Sequence, residues 1–163
     1  MIDAHLTADN RIRPLLKDDL ERMIAIDQAH TGRTRRGFLG KRLTLAIERP
    51  QAFVHVGLER GGVLAGFALA RLLRGEFGRT EATAALDLVG VAPGSQEHGV
   101  GRALLDGLLA AAQRQGVRHL QSEAEWTSHA LLRFFDAAGF KLANRVVLER
   151  RMSEPFPESV EEI

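Results

Sequence analysis

The sequence predicts a mixed α/β fold in which a central sheet is covered by helices. Three observations lead there. The chain has 163 residues, enough for one domain with a core of its own. Apolar residues make up 45% and charged residues 26%, an ordinary globular balance that excludes collagen, coiled coil and wholesale disorder. The apolar patterning alternates as β-α-α-β-β-β-α-β-α-β, with no internal repeat. One domain is expected over residues 1–152, followed by a loose acidic tail over 153–163 that holds two prolines and four glutamates.

Each element has its own signal. Ile12 and Arg13 form a short extended stretch that Pro14 closes. Asp18 and Asp19 open a helix that runs to about Ala29, acidic residues suiting a helix N-terminus, and Thr31-Gly32 ends it. Arg33, Arg35 and Arg36 follow, and a second helix is predicted from Arg36 to Glu48, ahead of Pro50. Ala52–Glu59 and Val63–Leu73 flank Gly61-Gly62 and read as a hairpin. After the turn Gly75–Gly78, a strand from Thr83 to Val91 leads to Pro93-Gly94, and Gly90 within it predicts a bulge. Val100 to Gln115 is a helix with Val100, Leu104, Gly107, Leu108 and Ala111 on one stripe, stopped by Gly116. Val117–Ala124 reads as a strand. Ser128 is placed to cap a helix in which Leu131, Phe134, Phe135 and Ala138 share a face, ended by Gly139. Leu142–Arg151 is predicted as the last strand.

Composition narrows the function. Twenty-two Lys and Arg against 21 Asp and Glu leave a net charge of +1, which offers no broad field for nucleic acid. Cysteine is absent, which removes disulfides, thiolate catalysis and Cys-ligated metals, and suits a reducing cytoplasm. No apolar run reaches the roughly 20 residues of a membrane span. Met1–His5 shows neither a basic nor an apolar leader region, so a cytoplasmic location is expected. The six histidines show no ligand spacing, so no metal is expected.

The chemistry is carried by the segment from Leu86 to Leu105. There a strand ends, a short loop turns, and a helix opens on glycines. Gln96-x-x-Gly99-x-Gly101 brings successive backbone N–H groups to a helix start, where the helix dipole favours an anion and glycine admits a phosphate close to the backbone. Neither G-x-x-x-x-G-K-[ST] nor G-x-G-x-x-G is present.

These residues resemble the GNAT superfamily of acyl-CoA-dependent N-acetyltransferases, over about Arg13 to Arg151. The family's strand ending V-x-P, followed by Q/R-x-x-G-x-G/A at a helix start, is matched by Val91-Ala92-Pro93 and Gln96-x-x-Gly99-x-Gly101. Its aromatic-Tyr-x-x-x-Gly-Phe helix end is matched by Phe134 to Phe140 in all but one place. The resemblance implies a mostly antiparallel sheet splayed at a cofactor slot, with acetyl-CoA as cosubstrate and an amine as acceptor. It implies that the amides of Gln96, Glu97, His98, Gly99, Val100, Gly101 and Arg102 hold the pyrophosphate. The backbone from Leu88 to Val91, Val89 and Val91 included, would bond the pantetheine arm, and an N–H near Val91 would polarise the acyl carbonyl. Ser128 stands where many members carry an Asn facing the cofactor, and Phe135 where many carry a Tyr that protonates the leaving thiolate. Homodimers are common in the family.

An amine must lose its proton to attack, and a carboxylate in the slot can take it. Glu123 is the first candidate. It lies twelve residues before Phe135, as a strand Glu precedes the Tyr in the ribosomal-protein N-terminal acetyltransferases, and it shares a strand face with Gln121 and Glu125. Asp87 is the second, expected on the face of Val89 and Val91. Phe135 departs from the family pattern: phenyl cannot donate a proton, and the chain has no tyrosine to replace it. Arg33, Arg35 and Arg36 fall where this family often builds its acceptor site. A non-catalytic acyl-CoA-binding module is the rival reading.

Overall fold

A computed structural model describes residues 10–155. The elements are β1 (Asn10–Arg13), α1 (Leu20–Thr31), α2 (Arg36–Glu48), β2 (Phe53–Arg60), β3 (Val63–Leu73), β4 (Thr83–Val91), α3 (Val100–Gln113), β5 (His119–Gln121) and α4 (His129–Ala137). The five strands lie in sequence order in one sheet. Its pairs are antiparallel from β1 to β4, and β5 joins β4 in parallel. The mostly antiparallel, helix-flanked sheet expected from the sequence is the observed fold.

Both faces of the sheet are covered. On one, Val54, Val56, Leu58, Ala68, Ala70 and Leu86 pack against Leu104, Leu105 and Leu108 of α3 and Phe135 of α4. On the other, Leu64, Phe67, Leu69 and Leu88 pack against Met23, Ile24 and Ile26 of α1 and Leu39 and Leu43 of α2. β3 is therefore buried on both sides, with Ala68 on one face and Leu69 on the other each 0% exposed. That explains why its sequence is continuously apolar rather than alternating.

The N-terminal strand is fastened by charge. Arg13 Nε donates to Glu59 Oε2 at 2.8 Å, and its Nη1 donates to Asp19 Oδ2 at 2.7 Å. Burial alone would push the Asp19 carboxyl up, but the Arg13 guanidinium and the Leu16 amide outweigh it and hold Asp19 below its usual range. The same contacts push the Arg13 guanidinium further above its already high value.

Three expectations are corrected. The irregularity in β4 is at Asp87, not Gly90. Leu69 pairs Leu88 and Ala70 pairs Leu86, so Asp87 is the extra residue, while Gly90 pairs regularly with Phe67. Gly90 is required for a different reason: a Cβ there would come 2.9 Å from the Phe67 ring and 3.1 Å from Ile26. The strand expected over Val117–Ala124 pairs only from His119 to Gln121. The strand expected over Leu142–Arg151 pairs with nothing in the sheet. Its apolar residues lie open to solvent, with Leu142 fully exposed, Leu148 87% and Val146 80%. Alternating apolar residues signal that a segment can fill a strand position, not that an edge within the same chain is there to receive it. Trp126, in the loop between β5 and α4, is also exposed. Of the expected tail, residues 156–163 lie outside those described.

Candidate active site

The site is made by a parting of strands. β5 pairs with β4 only at Thr83–Ala85, so the β4 edge from Leu86 to Val91 is left without a β5 partner. Beyond β4 the chain makes a short turn over Pro93–Ser95 and enters α3 at Gly99. Glu97 and Gly99 both take left-handed backbone, at φ 64° and 73°. Left-handed residues in such a turn gather amides into an anion-binding concavity. The first α3 amides, of Val100, Gly101 and Arg102, have no carbonyl ahead of them in the helix. The Ala103 amide is the first to find one, at Gly99.

The parted edge and this turn border a cavity of about 770 Å3. Val89, Gly90 and Val91 line it from β4, Gln96, Glu97, Gly99, Val100, Gly101 and Arg102 from the turn and α3, and Ala130, Leu131 and Phe134 from α4. His30 reaches it from the last turn of α1. Eight of the thirteen residues singled out from sequence are thus brought together at one cavity. Gly101 is the tightest point, since a Cβ there would come 2.9 Å from Phe134 Cε2. A larger residue would push the α4 ring into the slot.

The other five lie elsewhere. His98 turns back on its own loop, its Nδ1 2.6 Å from the Gln96 carbonyl oxygen. Ser128 occupies the position before α4, but its side chain makes no capping bond. Phe135 is buried in the core between Phe134 and Phe140, with ring centroids 5.6 and 4.7 Å away, and Phe134 faces the cavity instead. Glu123 is exposed, two residues beyond the end of β5, so strand alternation does not aim it. Asp87 is not on the face of Val89 and Val91. The bulge re-aims it towards α2, where Arg42 Nη1 lies 3.0 Å and Arg71 Nε 2.8 Å from its Oδ2.

His30 was not legible in the sequence. The Val91 carbonyl can only accept, so His30 Nε2, 2.6 Å away, carries the proton and donates it. A lone histidine in the last turn of a helix belongs to no spacing pattern. Next to it, Asp27 is 7% exposed and is held by Arg35, whose Nε donates to Oδ2 at 2.9 Å. Hydrogen bonding to Asp27 raises the Arg35 guanidinium further above its usual value. The Arg35 and Arg42 guanidiniums both lie over the Phe38 ring, 5.3 and 5.4 Å from its centroid. Among the described residues, no group of three or more His, Cys, Asp or Glu is placed to hold a metal ion. No helix among them is long and apolar enough to cross a membrane.

The sequence and the fold are similar to those of known proteins. The [ribosomal protein bS18]-alanine N-acetyltransferase of Escherichia coli is 28% identical over 135 residues, 82% of each chain. The aminoglycoside N-acetyltransferase AAC(6')-Iy, solved with CoA, superposes with a TM-score of 0.74 at 18% identity, over 88% of this chain and 95% of that one. A transcriptional regulator from Bacillus halodurans superposes with a TM-score of 0.72 at 18% identity, over 88% and 99%. The family model for the acetyltransferase (GNAT) family matches residues 15–140. With most of its length inside that match, the chain belongs to the GNAT acetyltransferase family.

Proposed function

We propose that the protein transfers an acetyl group from acetyl-CoA to a primary amine by direct attack. The parted β4 edge beside the Gln96–Gly101 turn carries this reading. The turn offers unpaired amides to a pyrophosphate, the edge offers strand hydrogen bonds to an amide-bearing arm, and Val89, Val91, Leu131 and Phe134 supply an apolar wall. The relatives whose names specify a reaction place acetyl on nitrogen, one on an alanine and one on an aminoglycoside.

In the reaction, the amine lone pair attacks the thioester carbonyl carbon. The C–N bond forms, the C–S bond breaks, and CoA leaves as thiolate. The nitrogen gives up its proton to a carboxylate, for which Glu123 and Asp87 are the candidates. With no tyrosine in the chain, the thiolate takes its proton from water or from an acid at another position. A thiol with a pKa near 8.5 leaves tolerably well without an acid.

The test is thermal unfolding with and without acetyl-CoA, followed by CoA release over an amine panel. Ligand at a hundred times Kd adds roughly 2.7 kcal/mol, about 5–10 °C for a chain this size. No shift at millimolar acetyl-CoA removes the reading. A shift without CoA release from any amine favours a non-catalytic acyl-CoA binder, the reading that the missing tyrosine supports. Glu123→Gln lowers kcat and leaves acetyl-CoA affinity unchanged if Glu123 takes the proton; an unchanged kcat moves that role to Asp87.

A further inference from the structure

We infer that the acceptor is a small zwitterion, an amine that carries a carboxylate a few bonds away. The inference rests on the acetyl-transfer reading and names the substrate class of the same site.

The length of the slot sets where an acceptor meets the acyl group. The anion-binding turn is at the Val91 end of β4, and Asp87 is four residues back, about 13 Å along the strand. Asp87 follows the last β4–β5 pair, Ala85 with Gln121, by two residues, so it stands where the strands part. An acyl arm laid along the open edge from the turn has its reacting end near this point. Val89 and Val91 pack towards the α3 side, whereas the bulge delivers the Asp87 carboxylate to the α2 side. An acceptor that meets the acyl end from the α2 side therefore meets Asp87 and its two arginines.

That surface has a defined charge order. One carboxylate stands between two guanidiniums, Arg42 and Arg71, and the three groups sum to a net positive charge. Two guanidiniums bring more N–H donors than one carboxylate can accept. Arg71 is 47% exposed and presents its surplus donors to solvent, while Asp87 is only 14% exposed. Phe38, 41% exposed, walls this surface with Arg35 and Arg42 against its ring. The nearby acids are taken: Asp27 by Arg35, and Glu21 by Arg36, whose Nη2 donates at 2.8 Å. A polycation finds one carboxylate here, Asp87, and two guanidiniums beside it that repel its remaining charges. A zwitterion finds both partners, Asp87 for its ammonium and the Arg71–Arg42 fork for its carboxylate, where paired N–H donors match carboxylate geometry.

The experiment measures CoA release by the full chain with matched acceptors: γ-aminobutyrate against 4-aminobutyramide, alanine against alaninamide, phosphoethanolamine against ethanolamine, and spermidine as the polycation. We expect kcat/KM roughly tenfold or more higher for the carboxylate member of each amino-acid pair, the factor that one charged hydrogen bond carries. Arg71→Gln, and separately Arg42→Gln, should shrink the acid-over-amide ratio of kcat/KM about tenfold, chiefly through a higher KM for the acids. Each variant keeps the other guanidinium on Asp87, and an intact acetyl-CoA shift in Tm shows that the slot has survived. Equal use of acid and amide, a preference for spermidine, or a preference confined to phosphoethanolamine overturns the inference while the Tm shift and turnover uphold acetyl transfer. If acetyl-CoA shifts Tm but no amine releases CoA, N-acetyl-γ-aminobutyrate is titrated into the CoA-loaded chain, and absence of binding overturns it. Without any Tm shift, both readings fall together.

Discussion

The sheet from β2 to β4 and the chain after Gln121 are built from similar residues and end up in opposite environments. β3 pairs on both edges along most of its length and is covered on both faces. After Gln121, α4 is anchored by Phe135, but Leu142, Val146, Leu148 and Met152 lie in solvent. Val and Leu at strand spacing occur in both. The difference is whether a hydrogen-bonding edge and an apolar face are within reach. β4 has β3 on one side for its whole length, and on the other it has β5 for only three residues. That same withdrawal of β5 opens the cavity. The region that opens the slot is thus the one with the fewest sheet contacts, and the sheet bears the stability.

Truncation at the two ends of this contrast gives the largest separation. Phe67→Ala, in the middle of β3, should cost about 4 kcal/mol and lower Tm by about 8–16 °C, read by calorimetry. A loss under about 1 kcal/mol would mean that the sheet is not the stable unit.

An intermediate effect belongs to the charged fastening of β1. Asp19 is depressed below its usual carboxylate range in the folded state, so its contribution is fully present above about pH 4. It is lost as pH falls through the lower folded value. Urea midpoints should therefore drop more steeply for the natural chain than for Asp19→Asn between pH 5 and pH 3. Parallel curves would show that Arg13 and Asp19 do not couple β1 to the sheet.

The smallest effect is expected at the other extreme. Leu148→Ala should change stability by no more than about 0.5 kcal/mol in dilute protein, and amides from residue 142 to 151 should exchange with solvent far faster than those of β3. A loss of 2 kcal/mol or more would show that this segment is packed in solution, and the contrast would collapse.

Much of this was readable from the residues. The limits of α2 ahead of Pro50 were met, α3 began at Val100 as its apolar stripe implied and ended at Gln113, two residues short of the expected Gln115, and the Gly61-Gly62 hairpin followed from its turn. The Gln96–Gly101 turn was legible because phosphate binding demands glycine and amides at fixed spacing, so the chemistry is written in neighbouring positions. The α2-side surface was not. Arg42, Arg71 and Asp87 come from three separate elements and meet only because a bulge turns one side chain across the sheet. Strict alternation had put Asp87 with Val89, and one extra residue reversed it. Phe135 erred for a related reason: the motif fixes a position on α4 but not the rotation that sends Phe134 to the cavity and Phe135 to the core. The C-terminal strand failed because pairing depends on a partner edge, which the segment's own residues do not encode.

The exposure of Trp126 decides how this protein can be watched. It is the chain's one tryptophan, there is no tyrosine, and the indole is 87% exposed. An indole this exposed is already in water before unfolding, so melting of the sheet should leave its emission wavelength nearly unchanged, and unfolding is better followed by circular dichroism or calorimetry.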